Sequence, residues 1–259
     1  MPRSPLTAQP IRVLLVQARS TSDMERQEQQ CFLERCRILP EQLLTLNCPY
    51  DPLTTAPLAD VHALMIGGAG EYSAGEDYPW MDDLLDLVRE ATERKLPTFG
   101  SCWGHQIIAR ALGGEVIHDS ARAELGCLEV ELTEAGAKDD LFQRFPARFK
   151  ANMGHHDRVT RLPPTAIELA RNDQPNQAFR LADAPVYGTQ FHSELDAQRE
   201  KERLIAYREY YREDLPDEKA FADVIANLAE TTEVDLLLYD FLTTFALPAV
   251  RTRAGEMPA

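Results

Sequence analysis

The sequence predicts an α/β protein: a mostly parallel sheet flanked by helices, with an antiparallel β portion and a helical C-terminal extension. Three observations predict it. The first part of the chain alternates short β-branched apolar runs with amphipathic helical stretches, which calls for parallel strands joined by right-handed crossovers. The middle changes to short strand-like runs separated by turns, the signature of antiparallel pairing. After Leu195 the periodicity is helical.

Taken in order, 11–17 (IRVLLVQ) reads as a strand buried on both faces. A helix is expected over 22–37, where Cys31, Phe32, Leu33, Cys36 and Ile38 recur at near-helical spacing. Residues 42–48 (QLLTLNC) give a second strand, and 61–71 (VHALMIGGAGE) a third that runs into a glycine-rich loop. Residues 78–95 place Trp80, Leu84, Leu85, Leu87 and Val88 on one helical face. A fourth strand over 96–102 (LPTFGSC) leads into a helix over 103–114 that closes at Gly113–Gly114. Further strands are expected at 125–134, 147–163, 166–172, 177–182 and 186–194, with one helical stretch at 138–145 (KDDLFQRF). Helices over 196–214, 217–230 and 233–246 follow, punctuated by Pro216 and Pro248. One domain is expected over 10–250, with a core at 11–195 and a helical extension at 196–247, between tails at 1–9 and 251–259.

Composition narrows the function. With 44% hydrophobic and 27% charged residues in 259, the chain has ordinary globular composition. A net charge of −15 disfavours a nucleic-acid surface. No apolar run has the length of a membrane helix, and MPRSPLTAQP lacks the apolar core of a signal peptide. Five cysteines, an odd number without such a peptide, point to free thiols in the cytoplasm. Cys31 and Cys36 match no zinc spacing. His155 and His156 are adjacent and point to opposite strand faces, and His62 and His118 stand alone, so no metal site is expected.

The chemistry concentrates in GSCWGHQ (100–106). Small residues two before and two after Cys102 suit a sharp strand-to-helix turn, in which a Cβ at 100 or 104 would clash. Such a turn lifts the thiol off the sheet end, where α/β folds bind ligands. It also places it at a helix N-terminus, which favours the thiolate, and aims the Trp103 N–H at an oxyanion. A nucleophile needs a base and the base an orienter. In QFHSE (190–194), His192 and Glu194 are i and i+2, so on a strand both leave by the same face.

GSCWGHQ followed by QFHSE resembles the class I glutamine amidotransferases, with their G-x-C-x-G-H-Q and Q-F-H-P-E segments. MIGGAGE (65–71) is similar to their G-G-P-G loop, and MGHHDRV (153–159) to their S-H-G-D-x-V stretch. AELG (123–126) resembles the E-x-G of members like the glutaminase half of GMP synthetase. The segments occur in family order over about 11–195. The resemblance implies a flavodoxin-like fold. It also implies a nucleophile at Cys102, an acid–base at His192, an orienter at Glu194 and oxyanion donors at Trp103 and Gly70. Gln106, Gly68, Gly154, His156 and Asp157 would contact the substrate, and His105 would brace the helix. The implied reaction is hydrolysis of the glutamine side-chain amide to glutamate and ammonia through a cysteine thioester, without metal or cofactor. Ser193 in place of the usual proline should loosen the backbone locally. Ala69 for proline leaves the oxyanion loop less rigid, and His156 for glycine re-tunes the pocket.

No phosphate-binding G-x-x-x-x-G-K-[ST] loop accompanies these motifs. Two enzyme readings follow: a glutaminase supplying ammonia to a separate synthetase subunit, or a stand-alone γ-glutamyl peptide hydrolase. A non-catalytic glutamine-binding regulatory module is the reading of another class. The run VDLLLYDFLTTF (234–245) must be covered, either by the domain itself or by a synthetase or second copy of the chain.

Overall fold

In a computed structural model, residues 4–250 are described except 213, 214 and 216. The parallel half contains β1 (Val13–Ala18), β2 (Leu43–Asn47), β3 (Ala63–Ala69) and β4 (Thr98–Ser101). Its crossovers are α1 (Ser22–Cys36) and α2 (Met81–Glu93), and α3 (Trp103–Ala111) leaves β4. Thr21 caps α1 by accepting from the Met24 N–H. The middle of the chain then adds β5 (Glu115–His118), β6 (Glu124–Leu132), β7 (Arg148–His155), β8 (Asp157–Arg161), β9 (Ala166–Arg171), β10 (Ala178–Leu181) and β11 (Val186–Thr189). Last come α4 (Ala197–Ala206), α5 (Glu218–Asn227) and α6 (Leu237–Phe241), which runs on through a π-turn at Leu242–Ala246.

Nine strands form one sheet in the order β2-β1-β3-β4-β11-β10-β9-β6-β7. Pairing is parallel from β2 to β11 and antiparallel beyond it. The mixed architecture is the one the periodicities predict. Two details differ. The 147–163 stretch is two strands, because the chain breaks at His156: β7 stays in the large sheet while β8 pairs with β5, a strand that periodicity does not reveal. The 138–145 segment is turns rather than helix: Asp139 Oδ1 accepts from the Leu141 and Phe142 N–H groups, an Asx-type alternative to helical bonding.

Two cores lie on the two sheet faces. One joins Phe32 of α1 to Phe99, Tyr187 and the α6 side chains Leu237, Leu238 and Phe241. The other joins α2 and α3, through Leu84, Val88, Ile107 and Ile108, to Leu64, Ile66 and Val186. The apolar run 234–245 is therefore covered by its own domain: Phe241 packs edge-on against Phe99 at 5.3 Å between ring centres. Among the described residues no helix is long and apolar enough to cross a membrane.

Candidate active site

Register places the site. β4 and β11 pair in parallel with Thr189 opposite Ser101, so the segments leaving both strands emerge at the same sheet end. The Cys102 N–H, donating to the Thr189 carbonyl at 2.8 Å, ties them. Cys102 sits between β4 and α3 at φ 50° and ψ −103°. A non-glycine residue there stores about 1–3 kcal/mol of strain, and the surroundings enforce it. A Cβ on Gly100 would come within 2.4 Å of the Gly104 backbone, and one on Gly104 within 2.2 Å of the Ile66 carbonyl oxygen. The glycines are thus required by close approach, as their spacing suggests.

His192 and Glu194 reach this turn by a different route from the one expected. Strand β11 ends at Thr189, and 190–196 is irregular. Strand alternation therefore does not align the pair. The segment curls back so that His192 Nδ1 lies 3.1 Å from Glu194 Oε1, and the Cys102 sulfur is among the groups that act on the His192 ring. Ser193 does not loosen this loop. Its N–H, which proline would lack, donates to Ser101 Oγ at 3.1 Å, and that hydroxyl donates to Glu194 Oε2 at 2.5 Å.

Glu194 anchors a buried charge network that sequence reasoning missed. Arg203 of α4 donates to Glu194 Oε1 at 2.8 Å and approaches Glu28 Oε1 of α1 at 3.6 Å. Arg19 donates to both Glu28 oxygens, at 3.1 and 2.6 Å, and to the Tyr207 hydroxyl at 3.1 Å. Burial works to raise Glu194, but His192, Arg203 and the Ser101 hydroxyl outweigh it and hold the carboxyl well below the usual range. Burial works to lower His192; Glu200 of α4, the Cys102 sulfur and Glu194 overcome it and raise the imidazole well above its ordinary 6.5. His105 keeps away from this chemistry. It is fully buried against Gly188 and Phe179, and desolvation pushes it down to about 3.

Cys102, Trp103, Gln106, Gly70, Gly154, His156 and Asp157 all line one cavity of about 260 Å³. Gly68 does not; its N–H donates to Glu28 Oε1 at 2.9 Å, and its lack of a side chain leaves room for Arg19 and His192. Gln106 donates to the Asp157 carbonyl at 2.7 Å and to Gln190 at 3.1 Å, so its amide nitrogen braces the wall. The Asp157 carboxylate clamps the loop after β3, accepting from Ser73 Oγ at 2.6 Å and the Ala74 N–H at 2.7 Å. It also meets His118 Nδ1 at 2.9 Å, so His118 is not isolated: it stacks on His156, which stacks on Tyr211 at 5.0 Å. Glu124 of the AELG segment pairs with His155 at 3.2 Å. Among the described residues no group of three His, Cys, Asp or Glu side chains is placed to hold a metal ion.

Several of the missed residues lie on α4 and the turn of helix after it. Glu200, Arg203, Tyr207 and Tyr211 follow one another at intervals of three or four, with Leu204 beside Arg203, and all are buried. The 3.6-residue signal is present in the sequence, but apart from Leu204 its members are charged or phenolic and mark no apolar face. Ile205, which looks apolar, is 54% exposed.

A cysteine on a strand-to-helix elbow, backed by histidine and carboxylate at the carboxyl end of a parallel sheet, is a hydrolase-type arrangement on a flavodoxin-like α/β fold. The family model for "Glutamine amidotransferase class-I" matches residues 34–208. The chain belongs to the class I glutamine amidotransferase family, and is a cysteine-dependent glutamine amidotransferase/hydrolase. It is 32% identical over 142 residues, 54% of this chain and 73% of the relative, to a component subunit of the glutamine-hydrolysing GMP synthase of Pyrococcus abyssi. It is 32% identical over 151 residues, 56% of this chain and 50% of the relative, to a γ-glutamyl-L-1-hydroxyisopropylamide hydrolase of a Pseudomonas species. A solved glutamine amidotransferase structure from Methylobacillus flagellatus superposes with a TM-score of 0.69 at 26% identity, covering 90% of this chain and 95% of that one.

Proposed function

We propose that Cys102 is the nucleophile that hydrolyses the side-chain amide of glutamine, with His192 as acid–base and Glu194 as orienter. The observation that carries this reading is His192 held between the Cys102 side chain and Glu194 beside the cavity. The thiolate attacks the amide carbon, forming the C–S bond, and the oxyanion takes hydrogen bonds from the Trp103 and Gly70 N–H groups. The C–N bond breaks as protonated His192 gives its proton to the leaving nitrogen, which departs as ammonia. Neutral His192 then takes a proton from water, the hydroxide adds to the thioester, and glutamate leaves as the C–S bond breaks. The cavity of about 260 Å³ suits an amino-acid-sized substrate. The backbone around Gly154, His156 and Asp157 would hold its amino-acid end. Ammonia passes to a separate synthetase subunit; the GMP synthase relatives, themselves subunits of a larger enzyme, support this reading.

The second reading is hydrolysis of an N-substituted γ-glutamyl amide by the chain alone. The Pseudomonas relative favours it, as does the aromatic wall of Tyr72, Tyr78, Tyr210 and Tyr211, which suits a substituent on the amide nitrogen. Ammonia or amine release from glutamine and γ-glutamyl amides, measured side by side, separates the two. Cys102→Ser should lower the rate at least about a thousandfold in either case. A Cys102→Ser variant that keeps wild-type turnover removes the nucleophile assignment.

A further inference from the structure

We propose that Glu200, on α4, is a positioning residue for the reaction: its carboxylate keeps the His192 ring in its proton-carrying form against Cys102. This rests on the Cys102–His192 reading. Glu200 is 1% exposed, and its Oε2 has no hydrogen-bond partner among the described residues. A buried carboxylate oxygen in that state is costly, and a nearby cation offsets the cost. Oε2 lies 3.9 Å from His192 Nε2, beyond hydrogen-bond range. At that distance Glu200 acts through its charge.

The surrounding charges make His192 the counter-charge. Arg19, just after β1, and Arg203 of α4 face Glu28 of α1 and Glu194, and these four balance among themselves. Glu200 is left over, with the imidazole as its ion-pair partner. Cys102 and Glu194 complete the groups around the ring, with the phenolic Tyr211 packed near Glu200. The fold also makes room for this carboxylate. A Cβ on Gly154 would come within 2.9 Å of Glu200 Oε1, and the Tyr211 hydroxyl donates to the Gly154 carbonyl at 3.1 Å, closing the site from outside. Two carboxylates thus bracket one imidazole, Glu194 at Nδ1 and Glu200 near Nε2. The second comes from a helix beyond the parallel core.

The test is the pH dependence of two processes in the full-length wild type, Glu200→Gln and Glu200→Asp. One is kcat/KM for glutamine; the other is alkylation of Cys102 by iodoacetate, whose carboxylate is drawn by the protonated imidazole beside the thiolate, followed by mass spectrometry. With the charge removed, His192 surrenders its proton at lower pH, so the alkaline limit of both profiles falls by about 1–3 pH units in Glu200→Gln. Glu200→Asp keeps the charge at a greater distance and falls by less. A role in folding alone would lower both profiles evenly with their limits in place, and that result, or limits unmoved in both variants, overturns the proposal. Alkylation needs no substrate. A shifted alkylation limit without glutamine turnover would retain Glu200 and count against the proposed substrate.

Discussion

The two sides of Cys102 are built in opposite ways. On one side the elbow is backbone. Gly100 and Gly104 let β4, α3 and the Ile66 carbonyl approach within distances no side chain tolerates, and apart from Ile66 on β3 the residues involved are almost contiguous. On the other side stand charged side chains drawn from the turn after β1, from α1, the 190–196 loop and α4, where Arg203 and Glu28 are 175 positions apart in the chain. The first side presents the thiol through sterics. The second side sets the protonation of the group facing it through electrostatics in a dry interior, where charges act strongly and unpaired ones are costly.

The largest effect should come from removing one charge of that second side. Arg203→Met leaves Glu194 and Glu28 short of a cation, and breaking a buried pair in this way costs about 3–5 kcal/mol. Chemical denaturation should show the loss in the midpoint, and activity should fall with it because Glu194 loses an anchor. An unchanged midpoint would mean that the network adds nothing to stability.

Next in size is a strike at the elbow alone. Gly104→Ala sets a methyl against the Ile66 carbonyl, and overpacking of this kind costs about 1–3 kcal/mol or more. It should displace Cys102 and depress turnover more than it lowers the melting temperature. A Gly104→Ala enzyme with wild-type kcat would show that the elbow tolerates what its geometry forbids.

The mildest probe is acid, which discharges the charged side and leaves the steric side alone. Glu28 and Glu194 lie below their ordinary 4.5 in the folded protein, so their contribution is present above that value and is lost as pH falls through the folded ones. His192 runs the other way: raised above 6.5, its contribution is full below that value and disappears only as pH rises through its folded value. Melting temperature should therefore hold from neutral pH down to about 5 and drop below about 4. A melting temperature level down to pH 3 would remove the network from the stability account.

The sequence by itself determined the elements whose signal is local. Apolar runs for β1, β3 and β4, the amphipathic face of α2 and the glycine-flanked turn at Cys102 all follow from neighbouring residues and steric rules. The pairing of His192 with Glu194 was also legible, though not how it arises: the two meet through a curled loop and the Ser101 hydroxyl, not through strand alternation. Only the tertiary structure decided that a charged helix after the core turns Glu200 and Arg203 inward, toward His192 and Glu194. The physical reason is that a charged side chain reads as solvated wherever it stands in a sequence. Burial becomes favourable only when the opposite charges arrive, and here they arrive from the turn after β1, from α1 and from the loop after β11, segments far apart along the chain and adjacent only once the sheet has formed.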